Sequence, residues 1–294
     1  MTRYLLLPWA SSDDMSEAIG LPVPLRHWAQ QTDSHCVLLH VLPLSLLTAS
    51  PAERDRARCN ALDTLERRQA ELTSQGLGVT IKMRIGDPAE EIEKEAILLP
   101  AFAIAMPTHA REGIARLLNG SVAESVARHS DIPQLLWNGR GAEPDANEKR
   151  SVLLPIADAG SADALLPAVA EYAKAMGAEV IVFHEDLGRN DLGEERESFG
   201  NRSYLDVLCS RLEESGISVR RISRSGGQIV DEIVAIAEAC KVELIALATH
   251  GRSGMDRVIF GSVAEKVVRR APCAVWLQHI EPIDSGPQEE RYLG

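Results

Sequence analysis

Short apolar runs alternate with stretches of helical periodicity along the second half of the chain. The runs are rich in aliphatic and β-branched residues and are bounded by polar ones, which is typical of buried strands. The pattern predicts strands at residues 151–156, 179–184, 217–223, 242–248 and 273–278, and helices at 162–176, from Leu205 to Leu212, at 229–240 and at 262–270. The first half follows the same order. Strands that alternate with helices predict an α/β fold, a parallel sheet with helices on both faces.

The chain also repeats itself. Thr108-His109-x-Arg111 recurs as Thr249-His250-x-Arg252, and Gly120-Ser121-Val122-Ala123-Glu124 recurs as Gly261-Ser262-Val263-Ala264-Glu265, both 141 positions further along (261 − 120). Matches at one constant spacing indicate two copies of a domain of about 140 residues rather than a short-period solenoid. We predict domains at 1–140 and 150–280, joined by a polar linker. The acidic tail, 281–294, has little to bury, and we expect it to be loose.

Composition narrows the classes of protein. Apolar residues make up 45% and charged residues 25% of the 294 positions, as in ordinary globular proteins. A net charge of −12 disfavours nucleic acid as a partner. The five cysteines form no C-x-x-C pair, which favours reduced, mostly buried thiols in a cytosol. The N-terminal apolar run is too short for a signal peptide, and no uncharged stretch resembles a membrane span. We therefore expect a cytoplasmic protein without a membrane partner.

The loop after the fourth strand of the second copy carries the candidate chemistry. It reads Ala248-Thr-His-Gly251-Arg-Ser-Gly254, followed after six residues by Gly261-Ser262. Glycines let backbone N–H groups approach an anion, and the start of the helix at Ser262 adds free N–H groups and a favourable dipole. Alternatively, Ser262 is only an N-cap and Gly251 only a turn residue. P-loop and dinucleotide-binding fingerprints are absent.

The loop resembles the nucleotide-binding signature of the universal stress protein family, G-x-x-G-x9-G-[ST]. In this chain the signature stands as Ala248-x-x-Gly251-x9-Gly261-Ser262, with alanine in place of the first glycine. The resemblance extends to Gly86-Asp-Pro-Ala-Glu-Glu-Ile92 and to Ala271-Pro-Cys-Ala-Val275, and it covers both copies. It implies a tandem-type member with two open, five-stranded, Rossmann-like parallel sheets of order 3-2-1-4-5, similar to adenine nucleotide alpha hydrolases.

The resemblance also implies a site for ATP, with or without Mg²⁺, in the C-terminal domain only. In the family, the Asp that ends strand one contacts the adenosine, and Asp158 occupies that place; its alternative role is a helix cap. Residues after strand two line the adenine, which points to Glu185, where family members often have valine. The site residues are Ala157, Asp158, Glu185, Ala248, His250, Gly251, Arg252, Gly261, Ser262 and Val263.

Two of these residues leave alternatives open. His250 has no Cys or carboxylate at ligand spacing beside it, so an imidazole that organises the loop or contacts the ligand is favoured over a metal ligand. Arg252 either pairs with phosphate or is a solvated surface arginine. We predict no catalytic residue and no metal ligand, because the loop offers no pair of nucleophile and general base.

The first copy departs further from the signature. Pro107 replaces Ala248 and offers no N–H, and Ala110 replaces Gly251 and resists a positive φ. Ser11 replaces Asp158, and Trp9 stands where it can fill the pocket, although Gly120 and Ser121 remain. The first copy is therefore predicted to have a degenerate site.

Three functions compete: a nucleotide-binding stress-response or regulatory module with little turnover, a nucleotide-independent dimerisation scaffold, and a slow ATPase or other enzyme. Family domains pair through strand five, which is otherwise an unpaired edge. We therefore expect residues 134–137 and 274–277 to meet in an intramolecular pseudo-dimer, and we expect two chains to form a homodimer.

Overall fold

A computed structural model describes residues 2–9, 20–108, 122–139, 149–185, 198–225, 228–250 and 261–280. The elements of the first half are β1 (Arg3–Pro8), α1 (Val23–Gln31), β2 (Ser34–Leu42), a 3-10 helix (Leu44–Leu47), α2 (Pro51–Ser74), β3 (Gly78–Ile85), α3 (Pro88–Leu98), β4 (Ala101–Pro107), α4 (Val122–His129) and β5 (Gln134–Trp137). Those of the second half are β6 (Ser151–Ile156), α5 (Ala159–Met176), β7 (Glu179–Glu185), α6 (Ser198–Glu214), β8 (Val219–Arg224), α7 (Ile229–Ala239), β9 (Leu244–His250), α8 (Ser262–Arg270) and β10 (Ala274–Ile280).

The ten strands form one sheet of order β3-β2-β1-β4-β5-β10-β9-β6-β7-β8. Pairs within each half are parallel, and each half has the order 3-2-1-4-5, so the predicted fold class is confirmed. The halves meet where β5 lies antiparallel to β10, with Leu135 opposite Trp276 and Leu136 opposite Val275. This junction makes the sheet continuous from one half to the other.

The helices form two layers, and each layer covers both halves. Helices α1, α2, α5 and α6 pack on one face of the sheet, and α3, α4, α7 and α8 pack on the other. Trp28 of α1 lies at the centre of the first layer. Its ring makes edge contacts with Phe102 and Tyr172 and a tilted contact with Trp276, at centroid distances of 5.6, 5.2 and 5.7 Å. Residues of both halves therefore share one apolar core.

The two outer strands of the sheet carry cations. On β3, Lys82 and Arg84 pair with the buried carboxylate of Glu95. On β8, Arg220, Arg221 and Arg224 pair with Glu179, Asp206 and Glu232. Charged side chains on an edge strand discourage pairing with another chain. Both outer strands of the sheet are therefore protected against pairing with another chain.

One prediction about burial was wrong in part. The thiols were predicted to be mostly buried, yet Cys59 is exposed, since the buried face of α2 runs through other residues, Ala61, Leu65 and Leu72. In α6, Leu208, Cys209 and Leu212 face the core and Val207 is 52% exposed. Helix α5 also begins earlier than its apolar pattern predicted, at Ala159, because Asp158 caps it.

A buried carboxyl–phenol pair lies beside the junction of the halves. The Tyr172 hydroxyl donates to Glu243 Oε2 at 3.0 Å. Burial raises the pKa of Glu243, while the hydrogen bond from Tyr172 and the charge of Arg150 lower it in part. Burial, together with the nearby Glu243, raises the pKa of Tyr172 well above its ordinary value. Tyr172 therefore remains a donor at neutral pH.

We expect Glu243→Gln to stabilise the chain at neutral pH. A raised folded-state pKa means that Glu243 contributes its stability fully below the unfolded value of about 4.3 and loses it as pH rises through the folded value. The glutamine variant should therefore gain stability over the wild type as pH rises from 4 to 7, as measured by urea unfolding. Glu238→Gln, at an exposed position, is the matched control. A difference between Glu243→Gln and the wild type that does not change with pH would contradict this expectation.

Candidate functional site

The strand order of the second half reverses between β6 and β9, and the space beyond the carboxyl ends of these two strands is called the crevice below. The ladder between these strands pairs Val152 with Leu244 and Leu153 with Ile245. It stops there, although the strands continue to Ile156 and His250. Open α/β sheets bind ligands at this kind of switch point, outside the carboxyl ends of the strands. The predicted site residues lie around the same edge.

Asp158 caps α5 at the rim of the crevice. Its Oδ1 accepts from the Ser161 backbone N–H at 2.8 Å, and its Oδ2 accepts from the Ser161 hydroxyl at 2.7 Å. The cap that sequence reasoning offered as the alternative is therefore present. Ala157, between β6 and Asp158, is exposed.

Tyr204 of α6 is a neighbour of Asp158 that the sequence pattern did not identify. Its hydroxyl donates to the Ala159 carbonyl oxygen at 3.1 Å, at the start of α5. Burial, then the hydrogen bond and charge of Asp163, raise the pKa of Tyr204 to about 12. The phenol therefore stays protonated at neutral pH. Its sequence signal was only that of an aromatic residue in an amphipathic helix.

Among the described residues, no side chain caps the N-terminus of α8. Gly261 is the N-cap, with φ −56° and ψ 138°, and it has no side chain with which to satisfy the helix. Ser262 is the first helical residue, so the alternative interpretation of Ser262 as the N-cap was wrong. A Cβ added at Gly261 would meet no described atom within 4 Å, and Ser262 and Val263 are exposed. The first-turn N–H groups and the dipole of such a helix end suit it to an anion.

The remaining predicted residues lie at the ends of β7 and β9. Glu185 is half-buried and ends β7, beside Arg224 of β8 in the strand register. Ala248 is half-buried and packs against the apolar core. His250 ends β9, but its side chain, like Gly251 and Arg252, lies outside the described part of the chain. The structure therefore places the ends of β7 and β9 at the same edge of the sheet, and the contacts of the loop stay predictions.

One buried residue of β9 was not recognised from the sequence. The Thr249 hydroxyl lies 2.7 Å from His279 Nδ1, and His279 Nε2 lies 2.6 Å from the Ala127 carbonyl oxygen of the first half. The repeat of Thr108 and Thr249 was visible in the sequence, but a contact between residues so far apart was not. This link connects the strand that leads into the loop with the other half.

The corresponding edge of the first half is filled by side chains. Trp9 and Pro107 lie there beside Leu21 and Trp137, and the Arg68 guanidinium stacks on the Trp9 ring at 4.6 Å. The cavity that remains among these residues has a volume of about 10 Å³, which barely accommodates one water molecule. Ser11, Ala110, Gly120 and Ser121 lie outside the described residues. Trp9 thus occupies space next to its own strand end, as its position predicted.

The described residues contain neither a metal-binding cluster nor a membrane-spanning helix. Among the described residues, no group of three or more His, Cys, Asp or Glu side chains is arranged to hold a metal ion. In the same parts of the chain, no helix has the length and apolar character needed to cross a membrane.

Known proteins similar to this chain include several universal stress proteins. The model of the Universal stress protein family matches residues 26–137 and 149–279. A universal stress protein from Methanocaldococcus jannaschii is 40% identical over 71 residues, which is 24% of this chain and 41% of the relative. One from Methanothermobacter thermautotrophicus is 43% identical over 65 residues, 22% of this chain and 43% of the relative. The chain therefore matches less than half the length of these curated relatives.

Solved structures agree on the architecture. A universal stress protein from Archaeoglobus fulgidus superposes with a TM-score of 0.71 at 21% identity, over 94% of this chain and 98% of that chain. A putative universal stress protein from Pseudomonas aeruginosa gives 0.63 at 16% identity, over 95% and 93%. At these identities the likeness concerns the fold.

Proposed function

The chain belongs to the universal stress protein family, and from this premise we propose a cytoplasmic stress-response or regulatory protein that binds ATP in its C-terminal half with little or no turnover. The observation that carries the proposal is the N-terminus of α8, which no described side chain caps, at the carboxyl edge of the sheet where the strand order reverses. The equivalent edge of the first half is occupied by Trp9 and its neighbours. The contrast supports one nucleotide per chain.

In the proposed complex the phosphates lie at the start of α8. Backbone N–H groups of Ser262 and Val263 and the Ser262 hydroxyl donate to phosphate oxygens. Asp158 accepts from a ribose hydroxyl at the other side of the crevice. Mg²⁺, where present, neutralises phosphate charge. We expect little turnover because the segment from Ala248 to Ser262 offers no pair of nucleophile and general base and no cluster of carboxylates.

Calorimetric titration with ATP, with and without Mg²⁺, tests the proposal. We expect about one site per chain, and we expect Ser262→Ala to weaken binding by about 1–3 kcal/mol because a donor to a charged group is lost. Gly251→Val, in the loop outside the described residues, should abolish binding if that glycine holds a positive φ. A phosphate-release assay on the same samples measures turnover.

The repeat supplies the matched control. Ser121→Ala changes the equivalent serine of the first half and should leave ATP affinity unchanged. Two equivalent sites per chain, or a loss of binding only in Ser121→Ala, would contradict the assignment to the second half. Melting temperatures measured in parallel separate lost binding from lost folding.

The second candidate is a nucleotide-independent scaffold, and the continuous sheet through β5 and β10 favours it. On this proposal the strand pair holds the halves as an intramolecular pseudo-dimer, and two chains associate further into a homodimer. A wild-type chain that binds no adenine nucleotide, yet has the mass of a dimer by light scattering, would favour the scaffold over the nucleotide-binding module.

A further inference from the structure

A chain of hydrogen bonds runs from the first half of the molecule to the strand that leads into the candidate loop. Thr249 and His279 lie side by side in the register of β9 and β10. Thr249 is buried, and its Oγ1 is 2.7 Å from His279 Nδ1. On the other side of the ring, His279 Nε2 is 2.6 Å from the carbonyl oxygen of Ala127 in α4. Three groups from two halves are therefore connected.

The carbonyl fixes the direction of this chain. A carbonyl oxygen only accepts, so His279 Nε2 must carry the proton and donate to Ala127. In the neutral ring Nδ1 is then an acceptor, and the Thr249 hydroxyl donates to it. The first half thereby sets the tautomer of His279, and the tautomer sets the direction of the Thr249 hydroxyl. Thr249 lies two residues before Gly251, where the candidate loop begins.

A second link reaches the opposite flank of the loop. Asn138 follows β5 in the first half and is buried. Its Nδ2 lies 3.2, 3.2 and 2.9 Å from the carbonyl oxygens of Val268, Arg269 and Ala271. These carbonyls end α8, and unsatisfied carbonyls at a helix end need such donors. Asn138 therefore fixes the C-terminal end of the helix whose N-terminal end carries Ser262.

The two links come from equivalent positions of the repeat. Residues 138 and 279 are 141 positions apart. Asn138 contacts carbonyl oxygens at the end of α8, and His279 contacts one in the last turn of α4, so each reaches the last helix of the other half. The equivalence is not complete. In the first half, Thr108 Oγ1 donates to the Trp137 carbonyl oxygen at 3.1 Å. In the second half, the two nitrogens of His279 bridge Thr249 and Ala127.

We propose that the first half acts as a positioning partner for the nucleotide site of the second half, with His279, Thr249 and Asn138 as positioning residues. This inference rests on the proposed function. Fixing the end of β9 and helix α8 before binding reduces the ordering that the ligand must impose, and preorganisation of this kind raises affinity. The half whose own strand edge is occupied by Trp9 therefore contributes to the affinity of the other.

Substitutions along the chain of hydrogen bonds test the proposal in the full-length protein. Thr249→Val removes the hydroxyl at constant shape, and His279→Gln removes the ring while an amide can still reach Ala127. Each should weaken ATP binding about tenfold, as expected for one lost hydrogen bond of this kind. Thr249→Ser keeps the hydroxyl and should restore affinity. Thr108→Val, the equivalent change in the first half, should leave affinity unchanged.

Amide hydrogen exchange distinguishes a local change in the loop from a general loss of stability. In Thr249→Val without ATP, exchange in the segment 251–260 should rise, while exchange in β2 and β7 stays at the wild-type rate. The double variant of Thr249 and His279 should lose no more affinity than either single variant, because both changes break one chain.

The outcomes separate the two proposals. A wild-type chain that binds no ATP contradicts the proposed function. A wild-type chain that binds ATP, with Thr249→Val and His279→Gln binding equally well and exchanging like the wild type, contradicts only the positioning role. Equal losses in Thr249→Val and Thr108→Val would also overturn it, since the effect would then not be specific to the second half.

Discussion

Trp28→Ala should lower the free energy of unfolding by about 3–5 kcal/mol, in the range of large aromatic truncations in cores. Trp28 is 2% exposed, and its ring contacts Phe102 of the first half together with Tyr172 and Trp276 of the second. The space left behind would open in both halves, because one apolar core runs through them. We therefore expect a single, shifted transition by circular dichroism in urea.

Trp28→Phe is the control for this prediction. It keeps an aromatic ring at the position and should recover most of the lost stability. Amide hydrogen exchange in β7 reports on the second half alone. Although Trp28 lies in the first half, exchange in β7 should become faster in Trp28→Ala. Two separate transitions, with the second half as stable as in the wild type, would contradict the shared core.

Removal of both cations beside Glu95 should cost about 3–5 kcal/mol, the usual penalty for leaving a buried charge uncompensated. The Glu95 side chain is 0% exposed and pairs with Lys82 and Arg84, which are partly exposed. Lys82→Met with Arg84→Met keeps most of the side-chain volume and removes both charges. Urea unfolding at neutral pH measures the loss.

A triple variant that also carries Glu95→Leu tests the cause. Replacing a complete buried ion pair by apolar residues is often neutral or stabilising, so this variant should recover stability. The double variant should also aggregate more readily, since β3 is an edge strand without its charges. Equal stability of the double and triple variants would show that the charge of Glu95 is not the origin of the effect.

The fold was largely predictable because its determinants are local in the sequence. The runs that became β6 and α8 were predicted with the residues that form them, since apolar periodicity follows burial directly. The predictions failed where one capping contact or the width of one helix face decides the local structure. Asp158 extends α5 beyond its apolar pattern, and Cys59 lies on the exposed side of a helix whose stripe is narrow.

The sequence indicates a place for the candidate site but not the contacts that support it. The carboxyl edge of the sheet follows from strand order, whereas Asp158 and the start of α8 come from the resemblance to the family signature. The contact of His279 with Ala127 spans 152 residues, and no local pattern encodes a pairing of that kind. Gly261, rather than Ser262, is the N-cap of α8, a difference of one residue that the motif does not decide.

The junction of β5 with β10 also sets an order of events during synthesis. Leu136 of β5 pairs with Val275 of β10, which lies far along the chain, so β5 leaves the ribosome well before its partner strand. At about 5–20 residues per second, the chain needs roughly 7–30 s to reach that partner. Throughout that time the segment Gln134-Leu-Leu-Trp137, which carries no charge, is an open edge, unlike the cation-lined β3 and β8. The nascent first half is therefore most prone to aggregation at the very strand that later completes the molecule.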